Sequence, residues 1–188
     1  MNNVVDRAKN IVLTPKTEWA IVDAEPTSIQ DIYTRYLVPL ALIPAIAGFI
    51  GMSIVGISVP VIGTVRTGFF TGLVQAVLQF GVSLAMIYVF AIVIDALAPT
   101  FAGQRNQLAA FKVAAYAMTP AFLAGIFSLI PALSIFGVLG LYSIYLLYLG
   151  LPRLMRTPPD KAAAYTAVVV AAAIALWIVF FGILAILA

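Results

Sequence analysis

Between Phe69 and Leu97 lie 29 residues in which Asp95 is the only charged side chain. As a helix rising 1.5 Å per residue, that run reaches about 43 Å. The hydrocarbon core of a bilayer is only about 30 Å thick. A run this long and apolar belongs in lipid, where a backbone must satisfy its own hydrogen bonds as a helix or closed barrel. The run lacks the strict two-residue alternation of a barrel strand, so it reads as a membrane-spanning helix. Four further stretches qualify, at residues 36–57, 111–129, 133–151 and 162–187. The expected fold is therefore all-α: a polytopic integral membrane protein with five transmembrane helices over residues 36–188. A polar, amphipathic N-terminal segment, residues 1–35, precedes them.

Composition agrees. Hydrophobic residues make up 64% of the chain and charged residues 9%, against about 45–50% and about 25% in soluble domains. The chain has neither His nor Cys. Disulfides and thiolate catalysis are excluded, and the commonest metal ligand and near-neutral proton carrier are missing. No cofactor is expected, and an enzyme is disfavoured because the spans contain no pair of acids. The net charge of +3 comes from scattered basic residues. It bears on membrane topology rather than on nucleic acid, which is not an expected partner. The N-terminus is not a secretory signal, since Asp6, Arg7 and Lys9 interrupt its apolar residues.

Five spans put the termini on opposite sides. With the N-terminus inside, Arg7, Lys9, Lys16, Arg35, Arg105, Lys112, Arg153, Arg156 and Lys161 all fall inside, and only Arg66 lies outside. Basic residues accumulate on the cytoplasmic side of membrane proteins, so the N-terminus is expected in the cytoplasm and the C-terminus outside.

Within this frame several side chains invite a functional reading. Asp95 is the third residue from the cytoplasmic end of the second span, where the headgroup region is its cheapest position. Arg105 or Lys112 could pair with it there. The sharper alternative is a buried acid on a transport route. Gln75, Gln79 and Ser83 recur at i, i+4 and i+8 and form one polar stripe. Such a stripe is either hydrogen-bonding glue between helices or a polar pathway towards Asp95. Thr119–Pro120 predicts a bend in the third span, a feature of transporter sites and also of ordinary membrane helices. Tyr145 and Tyr148 suit a membrane interface. Arg153 and Arg156 follow where they can reach anionic headgroups. In the fifth span Ala163, Ala167, Ala171 and Ala175 repeat every fourth residue, a small-residue face for close packing against this chain or a second copy.

In the N-terminal segment, Val4, Val5, Ala8, Ile11 and Val12 share one helical face opposite Asp6, Arg7 and Lys9. Thr14–Pro15 reads as an N-cap and first helical position. Pro26 ends that helix, and Ser28 with Asp31 resembles a capping box for the next. One reading lays these helices on the cytoplasmic membrane surface with Trp19 as an interfacial anchor. The other packs them over the loops of the same protein.

The stretch from Asp95 to Ala164 carries a family resemblance. "AYAMTP", "IYLLYLGLPRLM" and the following "P-x-x-K-A", with "PKTEWAIVDAEP" upstream, resemble the bacterial branch of the YIP domain family, the Ypt/Rab-interacting membrane proteins. One departure is "FAG" at Phe101–Gly103, where "FGG" is typical. Ala102 would restrict that turn. The resemblance implies five spans, a cytoplasmic N-terminus and residence in the bacterial inner membrane, with no catalytic residues. For eukaryotic members it implies membrane traffic through small Rab-type GTPases. That role is not carried over, because only about 35 residues precede the first span here. The expected function is a non-enzymatic membrane adaptor or organiser. Its expected partners are the bilayer with its anionic headgroups, a second copy or other membrane proteins. The alternative is a transporter or channel for a small solute, lipid or ion that uses the polar face of the second span.

Overall fold

The structure is a computed structural model that describes residues 3–59 and 63–187. Its N-terminal segment forms two short helices, α1 (Val4–Leu13) and α2 (Pro15–Ala24). Asn3 starts α1 by accepting the Val5 N–H at 3.3 Å. The helix stops at Thr14, since a residue before proline is pushed out of the helical region. Pro15 opens α2 at a position where its missing N–H costs nothing, and α2 ends ahead of Pro26.

Five apolar spans follow, at Ile29–Val55, Phe69–Phe101, Gln107–Leu129, Pro131–Leu154 and Pro159–Ile178, the fifth lying in a helix that continues to Leu187. The first begins earlier than its hydropathy predicts. Ser28 caps it, accepting the Asp31 N–H at 3.0 Å and donating to the Asp31 carboxylate at 2.6 Å. Two wide π turns, Tyr33–Leu37 and Ile50–Val55, flank the stretch that holds Pro39 and Pro44. A β-hairpin, β1 (Ile57–Val59) with β2 (Gly63–Val65), joins the first two spans. The middle of that predicted outside loop, residues 60–62, lies outside the described residues.

The third span is the axis of the bundle. Eight consecutive residues, Ala110 to Ala117, are buried. A helix apolar on nearly every side is stable only when surrounded, and here the first, second and fourth spans and α1 pack around it. The predicted bend is present. The helix breaks at Met118, and Thr119 and Pro120 open its next segment. The third and first spans approach closely at Gly125, where a Cβ would lie 2.5 Å from the Cβ of Pro44. The third and fourth spans turn at Ile130, whose extended backbone separates two 3₁₀ stretches.

Tyrosine hydroxyls fasten the spans together. Tyr33 donates to the Leu84 carbonyl at 2.5 Å, Tyr165 to Ile94 at 2.5 Å, and Tyr142 to Val12 at 3.0 Å. Tyr36 and Thr119 bond at 2.7 Å, and Thr119 donates in turn to the Tyr116 carbonyl.

Candidate functional site

Of the two placements open to the N-terminal helices, the structure shows packing against the protein. They pack into one end of the bundle, α2 against the fourth span and α1 against the third. Trp19 is 1% exposed and meets the ring of Tyr116 edge-on at 6.5 Å. It also lies against Gly150 of the fourth span, where a Cβ would come within 2.7 Å of the indole. The assignment of Trp19 as a lipid anchor is thereby corrected. Its apolar face is matched by protein, and a glycine leaves room for it. Ala8 and Ile11 of α1 are buried by the same packing, whereas Val5 stays 65% exposed.

A charged latch holds this hairpin. Arg7, only 3% exposed, donates to Glu18 at 2.5 Å and also to Glu25. Its guanidinium lies 5.8 Å from the Tyr116 ring centre. Glu18 is itself 2% exposed. Lys112 of the third span donates to the carbonyls of Val22 at 2.7 Å and Glu25 at 2.8 Å, a cation placed where the end of α2 leaves carbonyls unpaired. Arg156 pairs with Asp23 through both terminal nitrogens at 3.1 Å. The sequence reading put Arg7 on the polar face of α1. The available signal was its four-residue spacing from Ile11, which sets both on one side of the helix. Beside the latch lies a cleft of about 540 Å³ bordered by Asp23, Glu25, Arg105, Lys112 and Arg156.

Asp95 belongs to the same end of the molecule. Its Oδ1 accepts the Asn106 N–H at 2.7 Å, and its Oδ2 lies 3.8 Å from Arg105 Nε. Asn106 then caps the third span by accepting the Ala109 N–H at 3.0 Å. Of the two cations considered for Asp95, Arg105 is the partner and Lys112 serves α2. Asp95 thus organises the loop between the second and third spans. At Ala102 that loop adopts a left-handed backbone, φ +55°.

The other predicted residues divide between core and surface. Thr119 and Pro120 are buried at the bend of the third span. Gln75 and Gln79 are exposed on the second span, the Gln79 amide oxygen lying beside Gly48 of the first span, and neither amide has a hydrogen-bond partner among the described residues. Ser83 turns back to donate to the Phe80 carbonyl at 2.8 Å and lines an apolar cavity of about 210 Å³ with Met86, Met118 and Trp177. The polar stripe therefore does not bond one span to another inside this chain. Ala163, Ala167, Ala171 and Ala175 are also exposed, while Ala162, Tyr165, Thr166 and Val169 make the buried face of the fifth span. Tyr145, Tyr148 and Arg153 stand exposed along the fourth span.

Five apolar spans fastened at one end by a salt-bridged helical hairpin define a polytopic helical membrane protein. The family model of the Yip1 domain matches residues 9–180, and the chain belongs to that family. Among curated proteins it is similar to the inner membrane protein YohC of Escherichia coli, found alike in two strains. The two are 33% identical over 157 residues, covering 81% of this chain and 80% of the relative. No solved structure matches the chain.

Proposed function

We propose that this chain is a non-enzymatic organiser of the bacterial inner membrane, an adaptor that binds other membrane helices from the side. One observation carries the reading: the exposed amides of Gln75 and Gln79 on the second span, which have no hydrogen-bond partner among the described residues. They stand six and ten residues after Phe69 in a 29-residue helix. At 1.5 Å per residue the second of them is about 15 Å along, at hydrocarbon depth. An amide there lacks water, and a neighbouring transmembrane helix is the partner that satisfies it. The relative's place in an inner membrane supports the location, and the one-sided basic residues support a cytoplasmic N-terminus. Transport along the stripe has less support, because Asp95 is engaged in its loop.

The test is the size of the particle released from membranes by a lipid-retaining polymer. The wild-type protein is expected in assemblies larger than one chain. Interhelical hydrogen bonds are worth about 0.6–2 kcal/mol each, so Gln75→Leu with Gln79→Leu should weaken association roughly tenfold or more. A wild-type protein that is monomeric and free of partners in native lipid would sink the proposal.

A further inference from the structure

We infer a binding site for the phosphate of an anionic phospholipid in a second cleft, where the start of α2 meets the loop after the fourth span. This cleft, about 380 Å³, is lined by Lys16, Trp19, Leu149, Arg153 and Thr157, with two prolines. No carboxylate is among its lining residues, and Lys16 and Arg153 bring an ammonium and a guanidinium to it. Lys16 and Arg153 are exposed, and neither is engaged in a salt bridge or a side-chain hydrogen bond among the described residues. That distinguishes them from Arg7, Arg35, Arg105 and Arg156, each of which faces a carboxylate.

A second observation comes from the buried atoms. Trp19 Nε1 and Thr157 Oγ1 are both buried without a hydrogen-bond partner among the described residues. Thr157 is 4% exposed, and its hydroxyl lies near Gly103, at 2.6 Å from where a Cβ would stand. Buried donors without acceptors are costly, and two of them belong to residues that border one cleft. Lys16 lies in the first turn of α2, whose N-cap Thr14 makes no side-chain cap, and a helix N-terminus favours an anion.

The surroundings select a lipid over a free anion. The cleft lies between the end of the fourth span at Leu154 and the start of the fifth at Pro159. Leu149 and the exposed Tyr148 and Tyr145 continue from it along the fourth helix into the apolar region. A phosphate held by Lys16 and Arg153 would lay its acyl chains along that strip. The inference stands apart from the lateral-association reading, which rests on Gln75 and Gln79 of the second span, neither of which borders this cleft.

The experiment uses the full chain purified in detergent with mixed phosphatidylglycerol and phosphatidylcholine, read by native mass spectrometry. Wild-type protein should retain phosphatidylglycerol in preference. Lys16→Gln with Arg153→Gln should lose that preference roughly tenfold, and Thr157→Val should weaken it. Lys9→Gln with Arg35→Gln removes the same charge elsewhere and should keep it. In a parallel arm, inorganic phosphate is titrated against Trp19 emission in a Trp177→Phe background without anionic lipid. A shift there that the Lys16/Arg153 variant abolishes, with no lipid preference, would keep the anion site and replace the lipid by a free phosphate. No preference for either, or equal loss in the control variant, would overturn the site.

Discussion

Arg7 is the residue whose position costs most to disturb. Its guanidinium is nearly sealed from solvent between Glu18, Glu25 and the Tyr116 ring. Removing one member of a buried pair strands the other charge, which costs about 3–5 kcal/mol. Arg7→Met should therefore lower the thermal unfolding temperature sharply. Arg7→Met combined with Glu18→Leu should recover much of the loss, since no buried carboxylate is then stranded at position 18. If the double variant is no more stable than the single, the latch does not act as a pair. Ala102 offers the opposite sign. A left-handed backbone costs an L-residue roughly 1–2 kcal/mol, and glycine relieves that at some entropic cost. Ala102→Gly should stabilise the protein by about 0.5–1 kcal/mol in a denaturation series. At this scale the sequence was informative where the chemistry is local. Asp95, near a helix end with Arg105 following, reads as an interfacial group, and it caps the loop there. The sequence left Trp19 open between membrane surface and protein, because amphipathicity reveals an apolar face without revealing which of the two will cover it.

Helices show the same division between what is local and what is not. Proline punctuation and the Ser28 cap are legible directly, and so is the bend at Thr119–Pro120. Hydropathy alone places the first span from Tyr36, because Gln30, Asp31, Thr34 and Arg35 dilute turns that are nevertheless helical, whereas the Ser28 capping box marks the helix that begins at Ile29 and runs into the span. Which span forms the axis was not legible, since all five are apolar and their neighbours are decided by packing. Two alanine-rich helices separate these cases. Ala114 of the third span is fully buried, whereas Ala171 of the fifth is exposed. Ala114→Leu should cost about 1–3 kcal/mol through overpacking. Ala171→Leu should stay within about 0.5 kcal/mol in the isolated chain. A large loss at Ala171, measured by unfolding in native lipid but absent in detergent, would mean that a partner helix covers that face.

For the molecule as a whole, the spans, the loops and the basic residues make one geometric claim. The salt-bridged end gathers α1, α2, the loop after the second span and the loop after the fourth. The Gln104 N–H donates to the Met155 carbonyl at 2.8 Å and ties those two loops together. Arg66 stands by the β-hairpin at the far end of the first two spans, donating to the Val55 carbonyl at 3.4 Å. The chain has no native cysteine, so single cysteines report position without a background. Arg105→Cys, Lys161→Cys and Arg66→Cys all alter exposed residues, and each should fold. In inside-out inner-membrane vesicles, a membrane-impermeant maleimide should label positions 105 and 161 and leave position 66 unlabelled. In intact spheroplasts the pattern should reverse. Labelling of 66 alone in the vesicles would invert the orientation and leave the fold standing. Labelling of 105 and 161 from opposite sides would break the fold itself, because the Gln104–Met155 bond requires both loops at one face of the membrane.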